Sequence, residues 1–291
     1  MLITKADIKD KAEIYGMWKK YFAFDDAGYT DYYFINDYKA EENYVLKIDD
    51  EVISCLQVKE HQMVVGTDVI DYVFIAGVAT KEKYRRQGYM SKLLIGVCKQ
   101  LDNKLILIQG YNPKIYYPFG FETVYRQKTV IVKPKVTDDK DYTFFNEFNA
   151  KEMLKLYQQF TKSYDGYKMR DLKYYLRKAE LNKTMNWQSL TLYYQDTAVA
   201  YIIYYIEKGK VTIEELIYSD KKAAKIIVGY IDSKYSEIKV KLMENEDCLD
   251  DIVVAKVGDF ETLIRAKEPA VLMTINELIG SGKELYFNEY E

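Results

Sequence analysis

Apolar residues recur along the chain with two periods, one typical of helices and the other typical of strands. A helical period begins in "TKADIKDKAEIYGMWKKYF", where Thr4 and Asp7 resemble a capping box. The apolar positions of this predicted helix are Ile8, Ala12, Tyr15, Trp18 and Phe22. Two β-rich runs joined at Asp49-Asp50 then predict a hairpin, and "MVVGTDVIDYVFIAGVAT" predicts further strand. The chain is therefore expected to open with a helix followed by antiparallel strands.

A strand, a basic loop and a helix follow one another in "VATKEKYRRQGYMSKLL", residues 78–94. The helix has one apolar face, formed by Met90, Leu93, Leu94, Val97, Cys98 and Leu101. The mostly apolar "KLILIQG" that comes next is typical of a strand in the centre of a sheet. These segments predict a β-α-β unit, and "YNPKIYYPFGFETVYRQKTVIVK" then predicts a turn and a long strand.

The second half of the chain repeats this order of elements. Two helical segments, three β-rich runs, a helix capped by Asp in "DKKAAKIIVGYIDSKY" and the strand "EIKVKLM" follow in turn. The charged stretch between the halves lacks periodicity and is interpreted as a linker. The sequence thus predicts an α+β fold in two tandem domains, residues 1–133 and 142–291, joined by residues 134–141. Each domain is expected to be a mixed, mainly antiparallel sheet flanked by helices.

Composition restricts the class of protein. An apolar fraction of 48% with only 14 Gly and 4 Pro in 291 residues indicates a folded globular chain. The 30 tyrosines suit half-buried strands and by themselves indicate no function. A net charge of -3 argues against binding of nucleic acid through bulk electrostatics, so any anion site must be local. The mildly acidic surface suits a cationic partner such as an amine.

Cysteine usage and hydropathy point to a reduced, soluble protein. Cys55, Cys98 and Cys248 are far apart and form no CxxC pair, so neither a disulfide framework nor a zinc or other metal site is predicted. The first residues carry charges where a signal peptide has an apolar core, and no run of about 18 apolar residues predicts a membrane span. We expect a cytoplasmic protein that does not enter a membrane.

The basic loop has the order of elements that can hold a phosphate. The first backbone N–H groups of a helix are unpaired, and the helix dipole favours an anion there. Gly88 lets such a backbone approach a ligand without a side chain in between. The alternative is an ordinary strand-to-helix turn with solvated charges.

Two motifs resemble the GCN5-related N-acetyltransferase (GNAT) superfamily. "VATKEKYRRQGYMSKLL" is similar to its acyl-coenzyme A segment, Arg/Gln-x-x-Gly-x-Gly/Ala, with Arg85, Gly88 and Met90 at the three positions. Met90 replaces the small residue that the superfamily has there. The second motif, a Tyr four residues before Gly-Phe, is met by Tyr116 in "YYPFGFE". The whole chain resembles the enhanced intracellular survival (Eis) type, which has two such domains and a sterol-carrier-like third domain that this sequence lacks.

The resemblance implies acetyl-CoA as co-substrate, held in the first domain. Backbone N–H groups from about Arg86 to Met90 would cradle the pyrophosphate, and the end of the preceding strand would pair with the pantetheine arm. The backbone N–H near Val78 would stabilise the oxyanion. The residues assigned to the cofactor are Val78, Ala79, Thr80, Arg85, Arg86, Gln87, Gly88, Tyr89 and Met90.

Tyr116 is the candidate general acid. A tyrosine hydroxyl stays protonated at neutral pH and can give its proton to a departing thiolate. The alternative is that Tyr116 is one more packed tyrosine. The sequence does not determine the general base, and each candidate carboxylate is also explained as a solvated or capping charge. The candidates are Asp25, Asp26, Asp71, Glu122 and the terminal carboxylate of Glu291. His61 has no recognisable triad partners.

The acceptor is predicted to be a small cationic amine. The loop "FAFDDAGY" places Phe24, Asp25 and Asp26 where members of the superfamily cover the acceptor, and a ring with carboxylates suits an ammonium group. Packing of the ring onto the sheet is the alternative. The predicted reaction is direct acetyl transfer to an aminoglycoside, a polyamine or another cationic amine. A protein lysine acceptor, a different acyl donor, a non-enzymatic acyl-CoA sensor, and homo-oligomers as in the Eis type stay open.

Overall fold

The structure, a computed structural model, describes residues 1–22, 27–110, 112–134, 140–231, 235–267, 273, 276 and 282–289. Within this part of the chain the α-helices are α1 (Lys11–Tyr21), α2 (Tyr29–Asn36), α3 (Tyr89–Gln100), α4 (Ala150–Phe160), α5 (Leu172–Thr184) and α6 (Lys221–Tyr230). The strands are β1 (Leu2–Lys5), β2 (Asn43–Ile48), β3 (Glu51–Val65), β4 (Asp68–Thr80), β5 (Leu105–Gln109), β6 (Glu122–Val132), β7 (Tyr142–Phe145), β8 (Tyr164–Asp165), β9 (Tyr167–Lys168), β10 (Gln188–Tyr194), β11 (Thr197–Glu207), β12 (Lys210–Tyr218), β13 (Glu237–Met243), β14 (Val253–Arg265) and β15 (Glu284–Leu285).

The chain forms two compact units. The first is built from residues 1–124 and 261–280, and the second from residues 125–260 and 281–290. The predicted domain bounds at residues 133 and 142 stay a prediction.

The first unit contains a mixed sheet with the strand order β1-β2-β3-β4-β5-β14. Neighbouring strands are antiparallel except β4 and β5, which are parallel and joined by α3. On one face the apolar side of α3 packs against the sheet, with Leu93, Leu94 and Val97 fully buried. On the other face α1 and α2 form an aromatic core that includes Trp18 and Tyr33. The sheet is therefore covered by helices on both faces.

The start of the first helix differs from the sequence prediction. Leu2–Lys5 pairs with β2, and a short 3-10 helix at Ile8–Asp10 precedes α1. The capping box is formed by Asp7 and Asp10, not by Thr4. Ile8, predicted as an apolar-face residue, is 73% exposed. Pairing with a distant strand overrides the local helical pattern here, and the buried residues of α1 are Ile14, Met17 and Trp18.

The second unit repeats the mixed sheet, in the order β7-β10-β11-β12-β13-β6 with β12 and β13 parallel. The predicted helices and strands of this half are found as α4, α5, α6 and β10 to β13. The Asp220 side chain accepts a hydrogen bond from the Ala223 N–H and caps α6. The predicted α+β fold with mainly antiparallel sheets flanked by helices is confirmed.

The segment at residues 282–289 is part of the second unit. Glu284–Leu285 pairs with β8, while Tyr286 and Phe287 are 2% and 1% exposed. Arg170 is buried under the rings of Tyr157 and Tyr174, and its Nη2 donates to the Glu289 Oε1 at 2.7 Å. Aromatic burial and a buried ion pair thus fix this segment.

Candidate active site

The parallel strands β4 and β5 separate at one end, which leaves a gap in the first sheet. Their pairing runs from Tyr72–Leu105 to Ile75–Ile108 and stops there. β4 continues to Thr80, and among the described residues no strand pairs with residues 76–80 on the side of β5. Backbone groups of this strand end are therefore available to an extended ligand.

A bulge turns β4 where the gap begins. The register passes from Gln57–Ala76 to Cys55–Ala79, so β4 carries one extra residue. Gly77 lies in this bulge with φ +58°, and a Cβ atom there would be 2.0 Å from the Trp18 Cζ2. Only glycine fits both conditions. The sequence analysis did not assign Gly77 a role, although a glycine inside a strand pattern is a signal for a bulge.

The loop after β4 has the backbone of an anion cradle. Arg86 and Gly88 both have positive φ, +60° and +77°, and α3 begins at the next residue, Tyr89. Successive N–H groups in such turns point to a common centre, and the first N–H groups of α3 have no partner within the helix. A Cβ atom at Gly88 would meet nothing within 4 Å, so the space in front of the backbone is open. Met90 packs against the core under α3.

The two arginines of the loop have different surroundings. The Arg85 Nε donates to the Thr80 carbonyl at 3.1 Å, and its guanidinium lies 4.2 Å from the centre of the Tyr21 ring. The Tyr21 hydroxyl accepts the Glu82 N–H at 2.8 Å. Arg86 is exposed and, within the described residues, forms no hydrogen bond or ion pair. Arg85 therefore holds the loop in place, whereas Arg86 is available for an anion.

Lysines beside the loop are already neutralised. Glu51 accepts from Lys81 at 3.0 Å, from Lys83 at 3.1 Å and from the Tyr84 hydroxyl at 2.8 Å. These contacts, with Lys83 first, lower the pKa of Glu51 to about 2. Lys81 also pairs with Glu13. The positive character of the loop therefore comes from Arg85, Arg86 and the backbone N–H groups.

Tyr116 lies between two short 3-10 helices, Pro113–Ile115 and Tyr117–Phe119, at the end of the sheet. It is 5% exposed, and burial raises its pKa to about 12, so the hydroxyl is protonated at neutral pH. Its ring would be 2.9 Å from a Cβ atom at Gly110, just after β5. Val78 and Met90 border the same apolar cluster as Tyr116. The strand end, the helix start and the candidate acid thus meet at one core.

The remaining candidates are placed elsewhere or lie outside the described residues. Phe24, Asp25, Asp26 and Glu291 fall outside them. Asp71 is exposed, accepts from Gln62 Nε2 at 2.9 Å, and precedes Thr80 by nine residues, about 30 Å along a strand. Glu122 is exposed at the start of β6, and His61 lies beside the Tyr72 ring. Asp71 is too far from the loop to act there directly.

The second unit has a corresponding gap, which the chain itself fills. Parallel pairing of β12 with β13 stops at Ile213–Val240. The Asn288 Nδ2 then donates to the Glu214 carbonyl at 3.0 Å, and its Oδ1 accepts from Gln127 at 3.0 Å. The Asp220 carboxylate occupies the start of α6, where an anion would otherwise bind. An open gap next to an uncapped helix start is therefore found in the first unit.

The described residues also bear on metal-dependent and membrane-bound classes of function. No group of three or more His, Cys, Asp or Glu side chains there is arranged to hold a metal ion. No helix in the described ranges is long and apolar enough to cross a membrane.

The comparisons with known proteins agree with this geometry. A family model described as an acetyltransferase (GNAT) domain matches residues 3–124. The fold is similar to a probable N-acyltransferase of Enterococcus faecalis V583 (TM-score 0.73, 19% identity, 92% of this chain and 73% of that chain). It is also similar to a GCN5-related N-acetyltransferase of Anabaena variabilis ATCC 29413 (0.76, 14%, 92% and 73%) and to Eis1 of Mycobacterium abscessus (0.69, 12%, 92% and 74%). At these identities the structures show a shared fold, and no curated protein matches the chain.

Proposed function

We propose that the chain transfers the acetyl group of acetyl-CoA to a primary amine, because its residues 3–124 match the acetyltransferase (GNAT) domain. The superfamily inferred from the two sequence motifs is thereby confirmed. The observation that carries the proposal is the gap between β4 and β5, which leads directly to the uncapped start of α3. An extended amide arm fits the gap, and a pyrophosphate fits the helix start.

The residues of the loop divide the work of holding acetyl-CoA. The N–H groups of Arg86, Gln87, Gly88, Tyr89 and Met90 bind the pyrophosphate, and the Arg86 side chain adds a positive charge. Val78, Ala79 and Thr80 offer the free edge of β4 to the pantetheine arm. Arg85 supports the site through the contact of its Nε with the Thr80 carbonyl and, as a second exposed cation beside Arg86, also faces the cofactor.

Acetyl transfer requires an oxyanion donor and an acid. Acetyl-CoA supplies a thioester; its C–S bond breaks as the new C–N bond forms. The N–H of Val78 stabilises the oxyanion, because the bulge at Gly77 turns this part of the strand edge. Tyr116 gives its proton to the departing sulfur. The burial that keeps Tyr116 protonated would also raise the pKa of the coenzyme thiol beside it. The pKa values of the proton donor and the proton acceptor therefore stay close, which favours the transfer.

The acceptor proposed is a cationic amine such as an aminoglycoside or a polyamine. Phe24, Asp25 and Asp26 are proposed to contact it, on the resemblance to the superfamily. The base that takes the amine proton is proposed among the other carboxylates named above, directly or through water; these are Asp25, Asp26, Glu122 and the terminal carboxylate of Glu291. Residues 1–133 are proposed as the catalytic domain, and residues 142–291 as a degenerate second domain.

The test is release of free thiol from acetyl-CoA with an aminoglycoside, a polyamine and a lysine peptide as acceptors. We expect turnover with a small cationic amine and a fall of roughly 100-fold or more in kcat for Tyr116→Phe, which removes only the proton donor. Tyr117→Phe is the matched control, because Tyr117 is the exposed neighbour on the same turn. Binding of acetyl-CoA without thiol release for any amine would reject the enzyme and favour the acyl-CoA sensor. Turnover with the lysine peptide alone would reassign the acceptor.

A further inference from the structure

Arg265, at the end of β14, connects the turn of Tyr116 with the C-terminal end of α3, both of which are far from it in sequence. Its Nε donates to the Phe119 carbonyl at 3.0 Å, and its Nη2 donates to the Asp102 Oδ1 at 3.1 Å. The side chain is 13% exposed and that of Asp102 is 19% exposed. An arginine can hold two acceptors at fixed angles, because its donors form a rigid plane.

One of these acceptors belongs to the turn that carries Tyr116. The Phe119 N–H donates to the Tyr116 carbonyl at 3.0 Å, so the two residues close a single turn. Phe119 also provides the carbonyl that accepts the hydrogen bond from Arg265. Gly120 follows with φ +81°, and a Cβ atom there would lie 3.8 Å from the Arg265 Nε. A displacement of the Arg265 guanidinium would therefore move Phe119 and, through the Phe119–Tyr116 hydrogen bond, the backbone of Tyr116.

The other acceptor lies just after the helix whose start is proposed as the anion cradle. Asp102 follows the last residues of α3, whose first turn forms the cradle. Lys267, and then Arg265, lower the pKa of Asp102, which keeps this carboxylate charged near neutral pH. α3 is thus held at its far end by the same guanidinium that holds the turn of Tyr116.

We infer that Arg265 is a positioning residue for acetyl transfer: it fixes the turn of Tyr116 relative to α3, so that the acid meets a cofactor bound at the start of that helix. This inference rests on the proposed function. Since a displacement of about 1 Å in a reacting group can cost roughly 100-fold in rate, a lost tether is expected to reduce kcat far more than it changes binding.

The experiment compares Arg265→Gln, Arg265→Lys and Lys267→Gln with the unmodified chain. Lys267 pairs with Asp102 at 2.8 Å but does not contact the Phe119 carbonyl, so its variant is the matched control. For Arg265→Gln we expect kcat to fall roughly 10- to 100-fold while KM for acetyl-CoA stays within about twofold. Arg265→Lys should recover part of kcat, because lysine can donate to one of the two acceptors. Lys267→Gln should leave kcat within about twofold of the original value.

A double-mutant cycle separates positioning from general stability. If Arg265 acts through Tyr116, Arg265→Gln should have almost no further effect on kcat in a Tyr116→Phe background. Independent, multiplicative losses would overturn the inference, as would equal losses in the Arg265 and Lys267 variants.

Amide hydrogen exchange tests the tether without any turnover. In Arg265→Gln the N–H groups of Phe119 and Gly120 should exchange faster, while the buried middle of α3 stays protected. Unchanged exchange at both positions would show that Arg265 does not hold the turn. If the unmodified chain released no thiol, the proposed function and the catalytic role of Arg265 would be rejected. Faster exchange in Arg265→Gln would then still show that Arg265 holds the turn of Tyr116.

Discussion

The cradle assignment can be tested with a pair of substitutions at Gly88 that differ only in charge. Gly88 has φ +77° and open space around its missing Cβ, so both Asp and Asn can enter without a clash. Asp and Asn also tolerate a left-handed backbone better than other side chains, and each should cost about 1 kcal/mol in folding free energy. The two variants are therefore expected to be folded and equally stable.

Their affinities for acetyl-CoA should differ. A carboxylate about 4 Å from one negative charge of the pyrophosphate costs about 1 kcal/mol in bulk water and about 4 kcal/mol at an effective dielectric constant of 20. This range corresponds to a loss of roughly 5- to 1,000-fold in Kd for Gly88→Asp relative to Gly88→Asn. Calorimetric titration with acetyl-CoA at low and at physiological ionic strength measures the difference, which salt should reduce.

Equal affinities for the two variants would refute the reasoning, because charge at position 88 would then not face the pyrophosphate. A difference that does not respond to salt would also count against a direct electrostatic effect. Arg86→Gln provides an independent check, since loss of an exposed cation at the same site should weaken binding in the same salt-dependent way.

Three further predictions concern stability. Burial raises the pKa of Glu246 to about 7. The protonated carboxyl therefore stabilises the fold below pH 4.5, and this stabilisation is lost as the pH rises to about 7. Glu246→Gln should remove about 3 kcal/mol of this pH dependence, measured by urea unfolding. Glu289→Gln should cost about 3 kcal/mol or more in thermal unfolding, because it removes one of the buried carboxylates that pair with Arg170 and leaves that charge with Glu215, and a cost below 1 kcal/mol would contradict this. Gly77→Ala should destabilise by about 2 to 4 kcal/mol through backbone strain and the clash with Trp18, in contrast to about 1 kcal/mol for Gly88→Ala, and similar values for both would refute the packing argument.

The two units differ at the position of the proposed ligand site. Both sheets have a parallel strand pair that separates, at Ile75–Ile108 in the first and at Ile213–Val240 in the second. In the second unit, the side chain of Asn288 fills the gap and Asp220 caps the helix. A segment of the chain and a carboxylate thus take the places that the amide arm and the phosphates of a cofactor are proposed to take in the first unit.

Local pattern determined a large part of this protein. The apolar face of α3, the short buried strand β5 and the hairpin at Asp49-Asp50 were predicted from periodicity and turn residues, and all three are present. Both aspartates of that turn have positive φ, as a two-residue hairpin requires. The loop from Arg85 to Met90 was proposed from sequence as an anion cradle; its positive φ angles at Arg86 and Gly88 are local features of a few adjacent residues, and its role stays a prediction.

The tertiary structure alone decided which distant segments complete these elements. Residues 262–265 pair with β5 and bring Arg265 to the turn of Tyr116, although nothing in their local pattern distinguishes them from any other strand. Leu2–Lys5 is a strand because it pairs with β2, although the predicted helix began at Thr4. Sequence records the preferences of neighbouring residues, whereas strand partners, buried ion pairs and the clash that requires Gly77 arise only when remote parts of the chain are packed together.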